Sequence, residues 1–207
     1  MPGHRVLIIA HRVPVDGSFT LNDLAGGGGR MDEVARCVST SFTVSNGLRR
    51  GLEMTILFVA EPPPRARKIR ISSDRVRYLN PDERSTAALL KNALTRSTAL
   101  ERDFESSPGI VVGPVDPLEE LERFARQPDA LWLQEDGGPL RSFRTEMRGF
   151  SAILSDDKDL TAAERDRLTV TAVPRVSVAP VTLRASQCLD VLLNEFDLRE
   201  GHEAPVA

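Results

Sequence analysis

Three side chains at the head of one helical stretch offer chemistry most plainly: Arg30, Asp32 and Arg36. They follow four consecutive glycines, Gly26 to Gly29, within SFTLNDLAGGGGRMDEVARCVSTSFTVSNGLRRGL. Met31, Val34, Ala35, Val38 and Phe42 recur at i, i+3, i+4, i+7 and i+11, one face of a helix. Asp32 and Arg36 line one flank of that stripe and Arg30 the other. Glycines ahead of a helix allow close backbone approach and leave N–H groups for a partner. A helix edge with a carboxylate and guanidiniums, fed by such a loop, reads as a working surface. A plainer reading also fits: a flexible loop, with Asp32 and Arg36 in an i,i+4 ion pair worth about 0.2–0.5 kcal/mol. No nucleotide fingerprint matches. Arg30-Met31 stands where a P-loop needs Lys-Ser/Thr, and Met31 where GxGxxG needs glycine.

The surrounding elements read as alternating strands and helices. Val6–Ala10 and Met54–Ala60 are continuous apolar runs, as in strands covered on both faces. The helix after the glycines should stop near Asn46-Gly47, and Pro62, Pro63 and Pro64 should break regular structure. RKIRI (67–71) and RVRYL (75–79) flank Ser72-Ser73-Asp74 and predict a hairpin. Alternation would put Lys68 and Arg70 on one face of its first strand, and Arg75 and Arg77 on one face of its second. That basic concentration suits either an RNA contact or a charge-protected sheet edge. Asn80-Pro81-Asp82-Glu83 predicts a helix start with Asn80 as cap, running to about Thr95. Residues 100–109 read as a polar connection.

Strands at 110–115, 130–134, 150–154 and 175–178 then alternate with helices, which argues for a parallel sheet. Those helices start at Asp116 and at Thr161, each with a glutamate three residues on, and the last spans 183–196. The 207 residues suit one α/β domain, an N-terminal half (1–100) joined to a C-terminal half (108–200).

A net charge of −3 gives no global basic field, so any RNA surface must be local. Two distant cysteines and three histidines show no metal-ligand spacing, and no metal is expected. No apolar run approaches the ~20 residues that span a bilayer, so a cytoplasmic protein is expected.

Longer words are more specific. FTLNDLAGGGGRMDEVARCVSTSF, SNGLRRGL, VRYLNPDERSTAALLKNAL, LWLQEDGGPLR, AILSDD and RVSVAPVTLRASQCLDVLLNEFD occur in this order. Together they closely resemble the archaeal tRNA pseudouridine N1-methyltransferases of the knotted SPOUT superfamily. The resemblance implies an α/β, SPOUT-type parallel sheet with helices on both faces and a C-terminal trefoil knot. It implies S-adenosylmethionine as cofactor, held at Leu133, Ser155, Asp156, Val178, Ala179, Pro180, Val181, Thr182, Leu183 and Cys188. It implies methyl transfer to N1 of pseudouridine 54 in the T-loop of tRNA, in a homodimer. Asp32 would orient or deprotonate the base, and Arg30 and Arg36 would stabilise or position it. Arg49, Arg50, Lys68, Arg70, Arg75 and Arg77 would hold the RNA backbone. An rRNA pseudouridine methyltransferase and a non-catalytic RNA-binding paralogue are the rival readings. The chain departs from the family pattern at Ala35, Asn46, Gly51, Ser155, Asp157, Ala179 and Gln187.

Overall fold

Apolar side chains alternate across the first strand, and this decides where every helix must lie. The computed structural model describes residues 3–59 and 66–201. In β1 (His4–Ala10), Val6, Ile8 and Ala10 enter one core cluster, while Leu7 and Ile9 enter a second on the opposite face. The first cluster is closed by α1 (Met31–Phe42), α2 (Glu83–Ser97) and α5 (Ala185–Glu200). The second is closed by α3 (Pro117–Ala125) and α4 (Ala162–Val170). Helices therefore cover both faces, as expected.

The remaining strands are β2 (Thr43–Val44), β3 (Gly47–Leu48), β4 (Leu52–Val59), β5 (Ala66–Ser72), β6 (Phe104–Ser107), β7 (Ile110–Pro114), β8 (Ala130–Pro139), β9 (Phe150–Ser155) and β10 (Arg175–Ser177). The main sheet runs β10-β8-β9-β1-β4-β5-β7-β6. Its first five strands are parallel, and β5, β7 and β6 are added antiparallel. The expected parallel sheet is thus the half that bears β1, β4 and the C-terminal strands.

The predicted hairpin does not form. β5 pairs with β4 and β7 instead, because Ile69 and Ile71 are buried and need a neighbour on each side. Residues 75–79 turn away: the Ser72 carbonyl accepts from Arg75 N and Val76 N, and Tyr78 takes φ 64°. The helix after the glycines stops at Phe42, not near Asn46, since Thr43–Val44 pairs with Gly47–Leu48. Asp82, rather than Asn80, caps α2, its carboxylate accepting from Ser85 N at 2.7 Å. The supposed polar connection contains β6, whose Phe104 packs against the core. Capping by Asp116 and the Thr161–Glu164 capping box are as read. Pro62, Pro63, Pro64 and Ala60 lie outside the described residues. No described helix is long and apolar enough to cross a membrane.

Candidate functional site

Open α/β sheets bind ligands beyond the carboxyl ends of their parallel strands. Here β8, β9 and the segment after β10 open onto a cavity of about 410 Å³, in the ordinary range for small-molecule sites. Leu133, Ser155, Asp156, Val178, Ala179, Val181, Leu183 and Cys188 line it, eight of the ten positions expected. Pro180 instead lines an adjoining groove against α5, and Thr182 lines neither. Sequence reasoning missed Glu135, Asp136, Asp159 and Arg165, which add polar groups to the wall. Glu135-Asp136 directly follows an apolar strand, a signal that could have found them. Arg165, on α4, gave none. Gly137 is required where β10 presses on β8, because a Cβ there would collide with the Val176 backbone.

The glycine run does not present its N–H groups to a ligand. Gly26 N and Gly27 N donate to the Asp23 carboxylate, Gly28 N to Asp23 O, and Gly29 N to Gly26 O. Its role is steric. Gly29 (φ 61°) lies so close to the Arg12 carbonyl that a Cβ would collide with it, and Arg30 follows in the left-handed region at φ 70°. Together they turn the chain sharply into α1 beside the segment after β1.

That turn aims Arg30 across the site. Its Nε lies 3.0 Å from Asp32 Oδ1 and its Nη2 3.2 Å from Oδ2, a bidentate pair. Its Nη1 lies 3.7 Å from Asp157 Oδ2, which Arg12 Nη1 also approaches at 3.0 Å. One guanidinium therefore bridges Asp32 to the Ser155–Asp157 loop of the cavity. Arg36 reaches Glu83 Oε1 through Nε at 2.9 Å and Glu33 Oε2 through Nη1 at 2.6 Å, with Asp32 Oδ2 at 3.8 Å. Buried Glu33 also accepts from Ser186 N at 2.9 Å, tying α1 to the first turn of α5, which carries Cys188. Burial disfavours the Asp32 carboxylate, but the hydrogen bonds and charge of Arg30, the Glu33 N–H and Arg36 outweigh it and hold its pKa below the usual range.

His11, just past β1, was also missed. It is buried, with Nε2 3.0 Å and 3.1 Å from the Glu164 carboxylate oxygens and Nδ1 3.8 Å from Asp156 Oδ1. Burial opposes its charge, yet the two carboxylates win and raise its pKa to about 9.

A family of S-adenosylmethionine-dependent RNA methyltransferases matches residues 4–200. The chain belongs to that family. A tRNA (pseudouridine(54)-N(1))-methyltransferase of Methanosarcina acetivorans is 36% identical over 201 residues, covering 97% of this chain and 94% of its own. The protein of that name from Haloferax volcanii is 33% identical over 193 residues, covering 92% and 94%. Among solved structures, Archaeoglobus fulgidus Nep1 bound to S-adenosylhomocysteine shares the fold, with TM-score 0.64 and 14% identity, over 98% of this chain and 100% of that one.

The cavity of this methyltransferase fits its family's cofactor chemically. Leu133, Leu154, Leu160, Val176 and Val178 offer apolar wall for a flat base, and Glu135, Asp136 and Asp159 offer acceptors for hydroxyls and positive charge. Asp156 lines the cavity with its side chain fully covered, and its Oδ2 has no hydrogen-bond partner among the described residues. Ser155 and Ala179 still leave this volume, and the Ser177 hydroxyl pins the loop by donating to Ala179 O at 2.9 Å.

The basic residues of the methyltransferase do not form one patch. Arg49 is paired with Asp197 of α5. Lys68 lies half-buried 3.6 Å from Asp103, and Arg70 is half-buried too. Burial opposes ionisation of Glu120 on α3 most, but Arg123 and then both of these charges outweigh it and lower its pKa. Arg50, Arg75 and Arg77 are exposed and line a shared concavity of about 770 Å³. It sits at the amino ends of β1 and β4, a β4 length of roughly 25 Å from the cavity end.

Proposed function

We propose that this chain transfers the methyl group of S-adenosylmethionine to N1 of pseudouridine 54 in the T-loop of tRNA. Relatives bearing that activity in their names align over nearly the whole length. The observation that carries the reading is the Arg30 bridge, which puts Asp32 one guanidinium away from the cavity loop. When bound, S-adenosylmethionine supplies an electrophilic methyl group on a sulfonium. Leu133, Ser155, Asp156, the 178–183 loop and Cys188 form its pocket. Pro180 and Thr182, which do not line the cavity, shape that loop. Cys188 acts as wall rather than nucleophile: burial, then the charges of Glu135 and Glu33, push its thiol up to about 11.

Asp32 orients the base. A carboxylate held below the usual range by a bidentate guanidinium is a poor proton acceptor and a good fixed hydrogen-bond acceptor. Arg30 and Arg36, anchored by four carboxylates, face the charge left on the base as its N1 proton departs to solvent water. Reaching that nitrogen requires the nucleotide to be turned out of its stack.

Purified protein incubated with S-adenosylmethionine and tRNA carrying unmethylated pseudouridine 54 should yield N1-methylpseudouridine by nucleoside mass spectrometry. Methylation of an rRNA hairpin but not of tRNA would instead select the rRNA reading. RNA binding without cofactor affinity would select the non-catalytic one.

Of the basic set, the exposed Arg50, Arg75 and Arg77 are the proposed contacts to RNA phosphates, Arg75 exchanging its Glu105 partner at 2.9 Å for phosphate, while Arg49, Lys68 and Arg70 act more through the sheet and helices they brace. Reversing Arg75 and Arg77 together to glutamate should weaken tRNA binding at least tenfold at low salt. It should also flatten the slope of log affinity against log salt by about 2, measured by filter binding. An unchanged slope would remove both residues from the interface.

The proposal includes a homodimer and a knotted C-terminal segment. Val181 (64% exposed) and Val191 (37% exposed) leave apolar surface around the groove between the 178–183 loop and α5, which a second copy would cover. Light scattering should give about twice the 22.8 kDa chain mass, and a monomer at micromolar concentration would exclude the dimer.

A further inference from the structure

The cavity floor rests on a buried charge that the methyl-transfer chemistry does not use. His11, Asp156 and Glu164 come from three places: the end of β1, the loop after β9, and the first turn of α4. All three are buried, the side chains of His11 and Asp156 at 1% and 0% exposure. Glu164 is saturated, for it also accepts from Thr161 N at 2.7 Å in its capping box. Asp156 is fixed at its backbone, with its N–H on Ile9 O at 3.0 Å, and Lys158 N donates to its Oδ1 at 3.2 Å. Its second oxygen and His11 Nδ1 are each without a hydrogen-bond partner among the described residues. A buried carboxylate with one idle oxygen is costly unless a cation supports it.

We propose that His11 is a positioning residue: clamped by Glu164, it holds the Asp156 carboxylate behind the cavity wall and so fixes the Ser155–Asp156 main chain that faces the bound cofactor. This rests on the reading of the cavity as the S-adenosylmethionine pocket. The clamp explains why a histidine is buried here at all. A neutral ring could not compensate both carboxylates, and the raised pKa is consistent with a resident cation. No other charged side chain among the described residues pairs with the ring, so Asp156 and Glu164 are the groups that set its state.

S-adenosylhomocysteine titrated calorimetrically into the ligand-free full chain tests it. Wild type should bind. If it does not, the pocket reading itself fails, and the inference with it. With wild type binding, His11→Gln should lose about 10–100-fold in affinity, and Asp156→Asn a similar amount. The double variant should be no weaker than Asp156→Asn alone, because His11 acts only through that carboxylate. Wild-type affinity in His11→Gln, or losses that multiply in the double variant, would overturn the inference. A second measurement needs no variant. In ring-labelled wild type, the His11 resonance should be that of an imidazolium at pH 7 and should move on adding S-adenosylhomocysteine. His4, stacked on Phe150 at the far end of β1, should not move. A neutral His11 at pH 7, or a ring indifferent to the ligand, would equally overturn it.

Discussion

Asp32→Ala should lower the single-turnover rate of methyl transfer by on the order of 10³-fold while S-adenosylhomocysteine affinity stays within about twofold. The size follows from what the residue does. It is only 15% exposed at the side chain, receives both arms of Arg30, and lies 3.8 Å from Arg36. On the proposed reading, removing it deletes the acceptor that fixes the base. It also releases Arg30 toward Asp157, already 3.7 Å away, so the cation meant for the base is drawn to the loop. Both losses fall on the reacting nucleotide. The cavity keeps its walls, since Asp32 lines none of it. Stability should change little, because Asp32 sits in the first turn of α1, where an acid contributes about 0.3–1 kcal/mol. Near-normal turnover in Asp32→Ala would remove Asp32 from the mechanism. A rate lost together with ligand affinity would mean the variant had damaged the pocket instead.

How far the sequence could be read depended on whether a segment was decided by its own residues or by distant ones. VLIIA could only be a two-sided strand, and Thr161 with Glu164 could only open a helix; both are found as read. RKIRI and RVRYL looked equivalent locally. Only the arrival of Ile110–Pro114 at the far edge of β5 decided that the first is a central strand and the second a turn. Asn80 lost to Asp82 as cap by two residues, because the charged side chain could reach Ser85 N. The site divides in the same way. The eight cavity positions came from the resemblance; the residues themselves supported only the loops among them, Ser155–Asp156 and 178–183, which follow apolar strands, whereas Leu133 lies within β8 and Cys188 on α5. The glycine run was misread in mechanism: Asp23, three residues upstream, uses its amides, a local Asx-type pairing that DLAGG could have signalled. Asp157 stood out only as a departure from the family pattern, yet Arg12 and Arg30 both find it. His11 was invisible. Nothing in AHRVP announces that Glu164, 153 residues later, will pair with it.

That same pairing predicts the largest effect on stability. His11 has its pKa raised from 6.5 to about 9 in the folded chain. The native state therefore binds the proton more tightly than the unfolded chain does. The stabilisation is complete below about pH 6.5, declines as pH rises, and is lost above about pH 9. Its size is on the order of 3 kcal/mol, for a side chain with 1% exposure. In a chain of this length that corresponds to a fall in Tm of roughly 10 °C between pH 6.5 and pH 10. Glu164, held below its usual range by His11 and its capping box although burial opposes this most, sets the acid side: its share is present above about pH 4.5 and lost as pH falls through its lower native value. Other groups titrate between pH 6.5 and 10 as well, so the comparison that isolates the clamp is a difference curve. Scanning calorimetry of wild type and His11→Gln across this range should show the variant less stable at pH 6.5 and the two converging by pH 10. Parallel curves, with an offset that does not shrink as the pH rises, would mean that His11 is buried as a neutral ring and that Asp156 and Glu164 are compensated in some other way.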